Sequence, residues 1–259
     1  IWSPTFGADP NLVKRAAKLC KCDLGTQMVY EFSDLQGHVG KLLATFDGED
    51  PTVSEAIEEH YLPRGSGGSL PQTPEGSALA FIDRLDSLQK CFELNLQPKG
   101  SSDPLGLRRA ANGIVSLLLD SNISLSLSSF LSDELLKFVS ARMTSQFQEE
   151  FGGEVTNAVL ATGLDCPVSL HGRMTALENL SKSPQFSSMR ATFKRVMGLT
   201  KEHNSTLSGT ETWVDDTEIA LCEAYLNISN AVDDHLVAQD FDEALAALGQ
   251  LKEPVDALF

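Results

Sequence analysis

Five times in this sequence a residue able to cap a helix stands directly before a proline: Asp9-Pro10, Asp50-Pro51, Thr73-Pro74, Asp103-Pro104 and Ser183-Pro184. The capping side chain accepts from a first-turn N–H, and proline presets φ for the first helical residue, so each pair opens a helix. Apolar residues then recur at helical spacing, and no strand-like alternation of useful length follows. The pattern predicts helices near 9–30, 51–61, 74–94, 104–120, 132–151, 154–163, 168–182, 185–203, 211–238 and 240–247, and hence an all-α fold. Breaks are expected at "RGSGGSLPQTP" (64–74), at the serine-rich 120–134 and at "LDCPVSLHG" (164–172).

The charge pattern changes after the third break, which sets the expected boundary between two helical domains, 1–165 and 166–259. Residues 171–201 carry six basic side chains against Glu178 alone, while 206–259 carry twelve acidic ones against Lys252 alone. The formal net charge of −16 ordinarily argues against nucleic-acid binding. Its unevenness still permits a basic working face. No apolar run approaches the ~18 residues of a membrane span and no charged-then-apolar leader is visible, so a soluble chain is expected. It opens on Ile1 and stops mid-pattern at Phe259, as expected of a piece of something longer. The five cysteines make no CxxC pair, which points to a reducing compartment, without a disulfide framework or structural zinc.

The stretch "RAAKLCKCDLGTQMVYEFSDLQG" (15–37) holds the first candidate site. At ~100° per residue, Leu12, Ala16, Leu19 and Asp23 share one face, while Cys20 and Cys22 fall on opposite flanks and cannot ligate one metal from a regular helix. Asp23 is therefore a carboxylate on an apolar stripe, and burial requires a partner for it. In "PEGSALAFIDRLDSLQKCFEL", Ala78, Phe81, Leu85, Leu88 and Phe92 make one apolar face. Leu79, Ile82, Asp83, Asp86 and Lys90 lie opposite, either in solvent or around a polar pocket with Asp23. "DPLGLRR" reads locally as a cap, a first turn and two surface arginines, Arg108 and Arg109. His171 and His203 are expected at helix ends, and Met189, Met197 and Trp213 in the core. Arg190, Lys194 and Lys201 fall within about 40° of one another beside the stripe of Phe186, Met189, Phe193, Val196, Met197 and Thr200.

"FIDRLDSL" resembles the last motif of the HD phosphohydrolases, an all-helical superfamily that binds a metal through His, His-Asp and a final Asp. On that likeness Asp83 is the final Asp, and Cys22-Asp23 stands where His-Asp belongs. The missing histidine implies a degenerate site with no catalytic and no metal-binding residue. A metal-dependent hydrolase of nucleotides is the alternative. A likeness covering nearly the whole chain is carried by "KCDLGTQMVYEFSDLQGHVG", "DGEDPTVSEAIEEHYLPR", "FIDRLDSL", "PKGSSDPLGLRRAANGI" and "LKEPVDALF". In this order they resemble the C-terminal part of the β subunit of bacterial-type glycyl-tRNA synthetase.

That resemblance implies a degenerate HD-like domain followed by an anticodon-binding helical bundle. It implies tRNA(Gly) and the α subunit as partners in a hetero-oligomer, and a cytoplasmic location (organellar in a eukaryote), with neither membrane nor DNA involved. Arg108, Arg109, Arg190, Lys194 and Lys201 become candidate tRNA contacts. ATP and magnesium are implied at the α subunit. This chain shows no Gly-rich loop followed by Lys and Ser/Thr that would cradle phosphates, and no cofactor is expected in it.

Overall fold

The computed structural model describes residues 1–163, 165–201 and 215–259, and among these every regular element is helical. The fold is all-α. The chain divides into two compact units, one of residues 1–150 with 164–168 and one of 151–163 with 169–259. The boundary expected at 165/166 falls inside the short 164–168 segment of the first unit.

The first unit contains α1 (Pro10–Leu19), α2 (Gln27–Glu31), α3 (His38–Phe46), α4 (Pro51–Glu59), α5 (Pro74–Glu93) and α6 (Leu107–Asp120), and α7 (Asp133–Leu160) begins in it. Three of the five cap-proline pairs act as expected: Asp9, Asp50 and Thr73 accept from the N–H groups of Asn11, Thr52 and Gly76. Asp103 also caps, but later. Gly106 in the left-handed region resets the chain so that the Asp103 carboxylate accepts from Leu107 and Arg108 N–H, and α6 starts at Leu107, not at Pro104. Ser183 does not cap; Phe186 N–H reaches its backbone oxygen, and its hydroxyl is buried without a partner.

α5 is the central element, packing on α1, α4 and α6. Of the expected apolar face, Ala78, Phe81, Leu85 and Leu88 are buried and Phe92 is half-buried; Leu79 on the other side is buried too, because the first half of the helix is covered all round. Phe81 meets the rings of Trp2, Phe6 and Phe130 at 5.2–6.0 Å. Met143 and Phe147 of α7 and Ile114, Leu117 and Leu118 of α6 extend this core.

Besides the late start of α6, three elements differ from the periodicity. The helix expected over 9–30 ends at Leu19, followed by a 3-10 turn at Cys22–Gly25 and then by α2. Thr26 explains the break: its hydroxyl donates to Asp23 O and accepts from Val29 N–H, favouring a fresh cap over a continuing helix. α3 was not expected at all. α7 runs through both expected helices 132–151 and 154–163, with non-helical backbone at Gly152 (φ 78°) where they were separated.

The second unit holds α8 (Pro167–Ser181) from residue 169 on, α9 (Phe186–Thr200), α10 (Asp216–Ala238), α11 (Phe241–Gly249) and α12 (Lys252–Leu258). Ile228, Val232 and Ala247 are buried with Leu236, Leu248 and Leu251 packed against them. Met189 is buried as expected, whereas Met197 is 67% exposed: the covered stripe of α9 narrows to Phe193 and Val196 there. His171 lies inside α8, its ring 5.0 Å from that of Phe151. His203 and Trp213 lie outside the described residues.

Candidate functional site

Asp23 sits in the 3-10 turn after α1 and is fully buried. Its Oδ2 accepts from Gly37 N–H at 2.6 Å, and its Oδ1 is buried with no hydrogen-bond partner among the described residues. Two glycines make room for this. A Cβ on Gly37 (φ 83°) would come within 2.6 Å of the Tyr61 ring, and one on Gly40 within 2.8 Å of Ile57 and 3.2 Å of Asp23 Oδ2.

Next to Asp23 in sequence, Lys21 turns its ammonium inward. Its Nζ lies 2.8 Å from His60 Nε2, 3.3 Å from Asp83 Oδ2 and 4.3 Å above the Tyr61 ring. His60, buried just past α4, has Nδ1 2.6 Å from Ile57 O. A carbonyl can only accept, so Nδ1 carries the proton and Nε2 presents a lone pair to the lysine. Burial, reinforced by the Lys21 charge, pushes the His60 pKa down to about 4. Burial and then the Asp23 carboxylate push the Tyr61 phenol up.

Arg84, one residue after Asp83, donates to four carbonyl oxygens, those of His60, Ala80, Tyr61 and Pro63. It pins the end of α4 to α5, and burial lowers its pKa to about 10. His60, Tyr61, Asp83 and Arg84 border a polar cavity of about 400 Å³ that Arg64 and Arg109 also line.

Chemically, the donors that could take a metal, His60 Nε2 and the Asp83 carboxylate, already hold a cation, the Lys21 ammonium. Cys22 is exposed, with Sγ 3.8 Å from Lys18 O, and contributes nothing to the pocket. Asp86 faces solvent. Among the described residues no three His, Cys, Asp or Glu side chains converge as a metal site requires. The residues present do not fit the metal of an HD centre. Sequence reasoning placed Asp23 and Asp83 in one neighbourhood but missed Lys21 and His60. The nearest signal for them was the basic residue two before Asp23, whose partner lies 39 residues away.

Comparison with known proteins decides the family. The family described as "Glycyl-tRNA synthetase beta subunit" matches residues 4–161, more than half of the chain. The chain belongs to the glycyl-tRNA synthetase β-subunit family. It is 36% identical over 267 residues to the "Glycine--tRNA ligase beta subunit" of Syntrophotalea carbinolica, covering 96% of this chain and 39% of that protein. The protein of the same description from Bacillus subtilis is 36% identical, over 95% of this chain and 38% of the relative. That of Desulforapulum autotrophicum is 37% identical, over 97% and 40%. The chain thus spans about two-fifths of the length of these relatives.

Among the basic residues singled out in this β-subunit family member, Arg108 is occupied locally. Its guanidinium donates to Gly100 O at 2.5 Å and Ser101 O at 3.3 Å, closing the loop before α6. Arg109 is exposed and lines the cavity. On α9, Arg190, Lys194 and Lys201 are exposed and make no ion pair among the described residues. Their neighbour Arg195 is bound to Asp256, which also accepts from Thr192 at 3.0 Å and Lys252 at 2.8 Å. No helix among the described residues is long and apolar enough to cross a membrane.

Proposed function

We propose that this chain is the tRNA-binding portion of a glycyl-tRNA synthetase β subunit. It supports ATP-dependent attachment of glycine to tRNA(Gly) in a cytoplasmic hetero-oligomer whose α subunit handles ATP and Mg²⁺. The first unit is a degenerate HD-like module and the second an anticodon-binding-like bundle. The family match over residues 4–161 carries this reading. The free cations Arg190, Lys194 and Lys201, solvent-facing in a chain of net charge −16, support RNA contact at α9. Lys21, seated between His60 and Asp83, supports a first unit that no longer performs metal chemistry.

The physical task is to hold RNA through phosphate contacts and to read unstacked bases by polar and stacking contacts. The test is retention of total tRNA on the immobilised chain, followed by sequencing of what is retained. Enrichment of tRNA(Gly) is expected. Retention of no tRNA, or of all tRNAs in proportion to input, would overturn the reading.

A further inference from the structure

A second polar cleft in the first unit, of about 310 Å³, lies between one face of α6 and one face of α7, with the Gly65–Gly67 loop at its edge. That volume is at the lower end of small-ligand pockets. α6 contributes Arg109, Asn112 and Ser116; α7 contributes Arg142, Gln146 and Glu149. The spacings i, i+3, i+7 and i, i+4, i+7 put each trio on one helix face. Gln146 Nε2 donates to Ser116 Oγ at 3.0 Å and ties the two rows together.

The polar groups of this cleft are not used up by the fold. Gln146 Oε1, Asn112 Oδ1 and Arg142 Nε are all buried with no hydrogen-bond partner among the described residues. Neither Arg109 nor Arg142 forms an ion pair among the described residues, in a chain where acidic side chains outnumber basic ones 36 to 20. Among the described residues Glu149 is the one carboxylate lining the cleft, and it is exposed. Three of the eight orphaned polar atoms among the described residues gather in this one cleft beside two unpaired guanidiniums, whereas Arg84 and Arg108 are spent on carbonyls.

We propose that this cleft binds a ribose phosphate. Paired guanidiniums supply the planar donors that suit a phosphate group. The unpartnered amide oxygens of Asn112 and Gln146 lack donors, and a turn of either side chain toward the cleft brings them within reach of ribose hydroxyls. The Gly65–Gly68 turn, closed by Gly68 N–H on Gly65 O, places small residues at the edge where a ligand can approach the backbone. The same chemistry can come from an RNA backbone or from a free nucleotide. The RNA source rests on the tRNA-binding reading above; the nucleotide source does not.

The test titrates ribose 5-phosphate and AMP into the chain by calorimetry and measures tRNA affinity against salt concentration. Arg109→Gln and Arg142→Gln should each weaken ribose 5-phosphate binding about tenfold, the loss of one charge-assisted contact. Arg142→Lys keeps the charge and the packed stem but loses the fork, and should also weaken it. Glu149→Gln should tighten it, a gain that no structural defect would produce. If RNA is the source, the double Arg→Gln variant flattens the log-affinity versus log-salt slope for tRNA by about 2. If a free nucleotide is the source, AMP binds saturably and that slope is unchanged. Wild-type chain that retains no tRNA defeats the proposed function while the ribose 5-phosphate titration still decides the cleft. Absence of saturable binding by ribose 5-phosphate and AMP together with an unchanged slope overturns the assignment. So does an affinity for inorganic phosphate equal to that for ribose 5-phosphate, since Asn112 and Gln146 would then be idle.

Discussion

The two oxygens of Asp23 meet different fates, one accepting from Gly37 N–H at 2.6 Å and one buried alone. Removing the side chain strands the Gly37 N–H in a region that Tyr61 closes. Asp23→Ala should therefore lower stability in urea melts by ~1–3 kcal/mol. Cys22→Ser, one residue earlier but exposed, should change almost nothing, and equal losses in the two variants would mean that the Gly37 contact is idle. His60 makes a second prediction, on pH. Its folded pKa of about 4 lies below the ~6.5 of an unfolded histidine. Between those values the unfolded chain takes up the proton and the fold does not. Its contribution is therefore complete above about pH 6.5 and is lost as pH falls toward 4, up to ~1.4 kcal/mol per unit and roughly 3 kcal/mol in all. Urea melts across pH 4–7 should show this slope, and His60→Gln should flatten it; parallel slopes for the two proteins would defeat the argument.

At the scale of elements, α9 separates its cations by task. Arg195 is spent on Asp256, while Arg190, Lys194 and Lys201 stay in solvent on one edge. Alanine at all three should weaken tRNA binding and flatten the log-affinity versus log-salt slope by roughly 2–3, alike for tRNAs of different sequence. Helicity and melting should barely move, and an unchanged slope in the folded variant would place the RNA contact elsewhere. α9 was legible because its periodicity is clean and local. So were the starts of α1, α4 and α5, where cap and proline act within one turn. α3 was missed although Val39, Leu42, Leu43 and Phe46 stand at i, i+3, i+4 and i+7 on one stripe: no side chain caps its start at Gly37, and most of that stripe is exposed. The site divides the same way. A carboxylate on an apolar stripe announced Asp23, whereas the Lys21–His60 contact joins residues 39 apart that no local spacing relates. Cys22 entered the candidate site through the HD likeness; the turn that Thr26 caps leaves its side chain exposed while Asp23 goes in.

Over the whole molecule, two features set the chain apart from a working HD centre: Cys22 stands where the HD likeness needs a histidine, and Lys21 fills the space between His60 and Asp83. A divalent metal arriving between His60 and Asp83 must first displace the Lys21 ammonium, which is held by the imidazole lone pair, the carboxylate and the face of Tyr61. It would then find two protein donors, because Cys22 is turned out to solvent, and two donors hold a transition metal weakly. The purified chain incubated with Mn²⁺ should therefore retain no stoichiometric metal after gel filtration and hydrolyse no phosphate ester. On the proposed function, which gives that step to the α subunit, the chain supplied with glycine and ATP should not catalyse pyrophosphate exchange. Lys21→Ala sharpens the experiment: with the ammonium gone, metal retention should rise above wild type, and adding Asp83→Ala should return it to background. Phosphoesterase turnover in the wild-type chain that Asp23→Ala or Asp83→Ala abolishes would mean that the centre still works, with Lys21 serving catalysis instead of closing the site.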